Sequence, residues 1–185
     1  ISLFLTLRIW PKQNLINISQ TPTISNTTQE VCSDIAEIDF ENQVINDPQF
    51  GDLIFRNGVF EQKDDLGKAD WEHKIVDDFT MTPGVAQVIR FIKINSNHFS
   101  GSGAWDRLIG FRCGNRGVEK FFDQRGLYGI KVQKIGNNQL SLTIGEWTKN
   151  DPACCPSQQK ESLFQWNAQE HAFVLKQESI QKIQP

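Results

Sequence analysis

Few side chains in this sequence could do chemistry, and they are scattered. Four are cysteines: Cys32, Cys113, and the adjacent pair Cys154 and Cys155 inside NDPACCPS (150–157). A zinc site draws on cysteines two to four residues apart, or on cysteines with histidines at comparable spacing. Here the close pair is adjacent, and His73, His98 and His171 lie far from it in sequence. Adjacent residues on an extended chain point to opposite faces, which makes them poor joint ligands. No C-x-x-C redox motif occurs either. Disulfides are the expectation, and with them an oxidising compartment.

Four cysteines allow three connectivities. A bond between Cys154 and Cys155 would span Cα atoms about 3.8 Å apart across a trans peptide, whereas ordinary disulfides want roughly 4.4 to 6.8 Å. The geometry therefore favours two separate crosslinks, one thiol of the pair to Cys32 and the other to Cys113. A strained vicinal bond is the alternative, and four unpaired buried thiols in a reducing compartment are the third reading.

The remaining constellations offer little catalysis. SGSGAWD (100–106) lacks the Gly-x-Ser-x-Gly of a nucleophile elbow. It is not a dinucleotide loop, since Asp106 stands at the third glycine position. A glycine-rich bend feeding a strand explains it, and no catalytic residue, metal ligand or cofactor motif is assigned. Five tryptophans (10, 71, 105, 147 and 166) raise the thought of sugar stacking, with core packing as the default. Trp105 differs from the others because it follows the glycine bend rather than lying in an alternating run. Loops on a rigid sheet are where binding concentrates. His98, Ser102, Trp105 and Asp106 are therefore the candidate binding residues.

The elements that must position these residues read as strands. DLIFRNGVFEQ (52–62) places Asn57-Gly58 between apolar runs, a type I′ hairpin signal. WEHKIVDDF (71–79) and VAQVIRFIKIN (85–95) follow, joined at Pro83-Gly84. AWDRLIGFRC (104–113), VEKFFDQ (118–124) and YGIKVQKI (128–135) are each bounded by glycine. QLSLTIGEW (139–147) alternates Leu140, Leu142 and Ile144 with Ser141, Thr143 and Gly145. SLFQW and HAFVLK flank a four-residue loop at 167–170, and VCSDIAEIDFENQVI (31–45) opens as a short helix or extended arm. Spacings near ten residues predict an all-β or mainly-β domain, an antiparallel meander or sandwich of about eight or nine short strands with minor helix.

Domain organisation follows from composition. Residues 1–12, beginning ISLFLTLRIW, are an apolar leader or anchor remnant, or else an edge strand; residues 13–31 form an uncharged Asn/Gln/Ser/Thr linker. The β-rich domain covers 32–178 and a tail covers 179–185. The chain has 185 residues, 38% apolar and 22% charged, with a net charge of −3, which argues against nucleic acid as the main partner. Charge is uneven: from Gln13 to Phe55 there is no Lys or Arg, while seven acids lie between Glu30 and Asp52. That acidic arm is a second candidate contact surface.

The segment Asp151-Pro-Ala-Cys-Cys-Pro-Ser157 followed by Phe164-Gln-Trp-Asn167, with Arg56-Asn-Gly-Val-Phe60 and Gly101-Ser-Gly-Ala-Trp105 upstream, resembles LppP/LprE-type bacterial lipoprotein domains and related uncharacterised exported cyanobacterial proteins. The resemblance covers about residues 38 to 175. It implies an exported β-rich domain and carries no established activity. Relatives of that type hold an aspartate-rich loop reminiscent of calcium repeats; the matching stretch here, Asp77 to Gln87, has Met81, Pro83 and Gln87 where carboxylates would be needed. A plain turn is expected there.

The reading is a non-catalytic, disulfide-stabilised domain, periplasmic or extracellular and with a possible membrane tether at its N-terminus, that binds a protein or cell-envelope component. Alternatives are a glycan- or small-molecule-binding module or hydrolase using the Trp105 loop, and an accessory subunit of a membrane complex.

Overall fold

The computed structural model describes Cys32 and residues 34–84, 87–101, 103–115, 117–127, 129–152 and 155–183. The expected leader (1–12) and linker (13–31), and with them Ser102 and Cys154, lie outside the described residues.

Eleven antiparallel strands make three sheets among the described residues. A two-stranded ribbon pairs β1 (Val44–Asp47) with β2 (Gly51–Ile54). A five-stranded meander runs through β3 (Val59–Lys63), β4 (Ala69–Met81), β5 (Ile89–His98), β6 (Ala104–Gly114) and β7 (Gly117–Leu127). A four-stranded meander follows with β8 (Ile130–Ile135), β9 (Gln139–Glu146), β10 (Gln158–Asn167) and β11 (Ala172–Lys182). Among the described residues the helical content is two single 3₁₀ turns, Ile35–Glu37 and Phe40–Asn42, the first capped by Asp34 accepting the Ala36 N–H at 2.8 Å. The mainly-β, antiparallel fold read from the sequence is the fold observed.

The five-stranded sheet is covered on both faces. Along β5, Ile89 and Phe91 point one way while Ile92 and Ile94 point the other, and all four are buried. This double burial explains why the strand reads as a nearly continuous apolar run. On one side Phe91 and Leu108 meet Leu140, Leu142, Phe164 and Phe173 of the four-stranded sheet. Phe91 sits among Phe79, Phe122 and Phe173, with ring centroids 5.1, 5.5 and 5.7 Å away. A Cβ at Gly110 would come within 2.8 Å of the Phe91 ring, so only glycine lets this aromatic layer close.

The other face is covered by the N-terminal arm. Ile35, Phe40, Ile45, Leu53 and Phe55 pack on Ile92, Ile94, Ile109 and Phe111. Arg90 reaches across to donate to the Ala36 carbonyl at 2.9 Å and to Ile38, and its Nε donates to Asp78 Oδ1 at 2.7 Å. The Asp78 hydrogen bond and charge hold the Arg90 pKa above its ordinary value. Asp78, in the stretch compared with a calcium loop, is thus an arginine partner within β4.

Three details differ from the expectation. Asn57 and Gly58 do form the turn, with φ of 50° and 75°, and Arg56 bridges Val59; yet β2 pairs with β1 and not with β3. The turn hands the chain from ribbon to sheet. Strand β11 continues to Lys182, so the first residues of the expected tail pair with β10. Finally, Cys32 bonds directly to Cys113, with Cα atoms 5.3 Å apart, which rules out the expected pairing of these two with Cys154 and Cys155. The bond fastens the start of the arm to the end of β6 across 81 residues. In the chain-entropy model a loop of that size is worth about 4–5 kcal/mol.

Candidate binding site

One end of the five-stranded sheet gathers aromatic and polar side chains. Strand register brings them together: Trp71 on β4 lies opposite His98 on β5, and His73 lies opposite Ser96, which lies opposite Trp105 on β6. Directly opposed residues share a face. The Trp71 ring meets His98 at 4.8 Å, and Phe50, from the turn between β1 and β2, meets Trp71 at 5.0 Å and His73 at 4.7 Å. Above them the β5–β6 turn carries Phe99, 56% exposed.

His98 Nε2 stands 3.0 Å from Asp70 Oδ1, and its Nδ1 lies 3.2 Å from Ser100 Oγ. Hydroxyl, imidazole and carboxylate in line have the order of a nucleophilic relay. Here the hydroxyl is only two residues from the ring, on an exposed turn. The neighbouring cleft, lined by Phe50, Trp105, Arg107 and Arg125 among others, includes neither Ser100 nor His98. As it stands, the row orients His98 at the rim.

Trp105 is half-buried. Its Nε1 lies 3.6 Å from where a Gly103 Cβ would project, and the Trp71 ring is 4.0 Å from the same point. Both indoles thus lie near the base of the turn, and the Phe99 N–H donates to the Asp70 carbonyl at 3.0 Å, which ties the turn back to β4.

Asp106 is not part of this group. One step along β6 puts it on the opposite face, where it is buried and accepts from the Ile130 N–H at 2.8 Å and from Asn95 at 2.7 Å, with Lys93 Nζ 2.8 Å away. It ties β8 to the sheet, a structural role in place of the expected binding role. Of the four candidates, His98 and Trp105 share the site, Asp106 does not, and Ser102 lies outside the described residues. Sequence reading did not single out Asp70 and assigned Trp71 to core packing by default; Phe99 falls inside the 98–106 loop expected as a contact surface. The signal that finds Asp70 and Trp71 is the β4–β5 register, which no local pattern contains.

Below the rim lies a charged layer. Arg107 contacts Asp47 and forks onto Asp123, and Arg125 Nη2 lies 3.0 Å from Asp47. Burial alone would raise both carboxyl pKa values. The Gln49 N–H, Arg107, the Phe50 N–H and Arg125 outweigh it at Asp47, and Arg107 with Lys120 does so at Asp123, so both fall below the ordinary range. The part of the acidic arm expected as a contact surface that includes Asp47 is therefore spent internally.

His73 is fully buried beside this layer, with Nδ1 2.8 Å from Ser96 Oγ and no partner for Nε2 among the described residues. Burial lowers its pKa, against the pull of Asp47. Among the described residues no group of three His, Cys, Asp or Glu side chains could hold a metal ion.

Fold and site together define an antiparallel β-sandwich with a crosslinked N-terminal arm and an aromatic rim at one end. A scan against protein-family models finds no match for the chain, and searches of curated proteins and of solved structures return none either.

Proposed function

We propose that this chain is an exported binding domain, without catalytic activity, that engages a protein or cell-envelope component through the rim formed by Phe99, His98 and Trp71. The observation that carries the reading is Phe99: a large apolar ring 56% exposed at a hairpin tip whose backbone is tied to β4 through the Asp70 carbonyl. Pre-positioned aromatic anchors dominate interface energetics because little conformational entropy is lost when they bind. The Cys32–Cys113 bond supports an oxidising compartment. The LppP/LprE-type resemblance points the same way.

The glycan-binding alternative has weaker support, since Trp105 is half-buried. Sedimentation of the purified chain with envelope material from its source separates the readings. Phe99→Ser should weaken association by about tenfold or more and leave the thermal midpoint unchanged. Sugar-dependent stabilisation lost in Trp105→Ala would favour the glycan module. Ester or amide turnover abolished by His98→Ala would overturn the non-catalytic reading.

A further inference from the structure

Among the described residues the four-stranded sheet ends in a strand whose outer edge is unpaired: β11 is hydrogen-bonded to β10, and no described strand pairs with its other edge. Native edges are guarded by charged side chains, lysine above all, by proline, by short strands or by a bulge. Strand β11 carries one bulge, with Lys176 as the extra residue opposite the Leu163–Phe164 step of β10; beyond it Gln177 to Lys182 form an uninterrupted ladder opposite Leu163 to Gln158. Three exposed aliphatics accompany this strand: Leu175 (51%), Ile180 (55%) and, just beyond it, Ile183 (44%).

Backbone parity fixes which residues the open edge offers. The Ile183 N–H donates to the Ser157 carbonyl at 2.9 Å, directly across the ladder. Residues 183, 181, 179 and 177 therefore turn their backbone groups toward β10, and Glu178, Ile180 and Lys182 turn theirs outward.

We propose that this edge is a self-association surface, on which a second copy of the chain pairs antiparallel about a two-fold axis at Ile180. Charge selects that register. With the axis at Ile180, Glu178 of each copy lies opposite Lys182 of the other, and the two isoleucines meet at the centre. Centring on Glu178 sets two glutamates face to face, and centring on Lys182 sets two lysines face to face. Centring on Ser179 opposes Lys176 to Lys182, and centring on Gln181 leaves Glu178 and Lys182 without an opposite charge. Only the Ile180 axis matches apolar with apolar and acid with base. The contact is isologous and closes at two copies, joining the two four-stranded sheets into one eight-stranded sheet. Within its own copy Glu178 accepts from Ser162 Oγ at 3.2 Å and lies 3.9 Å from Lys160, both through Oε2, and the side chain remains solvent-exposed toward a second copy.

The test is sedimentation velocity of the full chain from about 1 μM to about 1 mM, the range in which weak dimers resolve. The wild type should shift from monomer to dimer across it. Glu178→Lys, which sets like charges opposite each other twice, should weaken the dimer by about tenfold or more, as should Ile180→Lys. The double exchange Glu178→Lys with Lys182→Glu should restore the dimer. Glu178, Ile180 and Lys182 are all exposed, so circular dichroism and thermal midpoint should not change. A wild type that stays monomeric throughout overturns the proposal, as does a dimer indifferent to Ile180→Lys or a charge exchange that fails to rescue.

Discussion

Arg107 and Asp123 are joined by two parallel hydrogen bonds across the β6–β7 ladder, Nε to Oδ1 at 2.7 Å and Nη2 to Oδ2 at 2.5 Å. The remaining guanidinium nitrogen contacts Asp47 from the β1–β2 turn, so one side chain fastens the arm to the sheet. Arg107→Met would leave two carboxylates without their main counter-charge, a loss of about 3 kcal/mol or more. Arg107→Lys should recover little of it, because an ammonium cannot fork onto a carboxylate while contacting a second one. Urea unfolding at neutral pH measures both.

The same layer sets the response to acid. His73 has a native pKa below its ordinary 6.5, so the unfolded chain takes up its proton first as pH falls. Stability present above about pH 6.5 should decline below it. Asp47 and Asp123 have native values below their ordinary 3.8, and their contribution, present above that pH, should be lost as pH falls further. Unfolding curves in steps from pH 8 to pH 3 should show two windows of loss. His73→Gln should flatten only the first.

Crosslinking supplies a third expectation. Reduction, or Cys113→Ser, should cost about 4–5 kcal/mol by the chain-entropy model, and the loss should fall on the arm. Hydrogen exchange after reduction should rise at Ile45 and Leu53, within the arm, before it rises at Phe164 on the far sheet. Peptide mapping without reductant should recover Cys32 joined to Cys113.

What was legible in the sequence was what neighbours in the chain decide. The alternation of Leu140, Leu142 and Ile144 is the inward face of β9, and the positive φ at Asn57 and Gly58 is what an Asn-Gly turn demands. What escaped depends on distant pairing. Asp106 looked like a companion of Trp105 because it is next to it, and the strand period sends it to the other face, to Ile130. Asp47 looked like part of an open acidic surface because its partners, Arg107 and Arg125, lie far along the chain. The cysteine pairing failed for the same reason: the steric objection to a vicinal bond says nothing of the register that sets Cys32 beside Cys113.

The most direct test of the binding rim is site-specific photo-cross-linking in cells of the source organism. A photoreactive residue replaces Phe99 at the hairpin tip, with Lys131 on the exposed side of β8 as control. The account predicts one discrete adduct from position 99, absent from position 131 and diminished when Trp71→Ala removes the ring that packs on His98. No adduct at 99, or the same adducts from both positions, would contradict it.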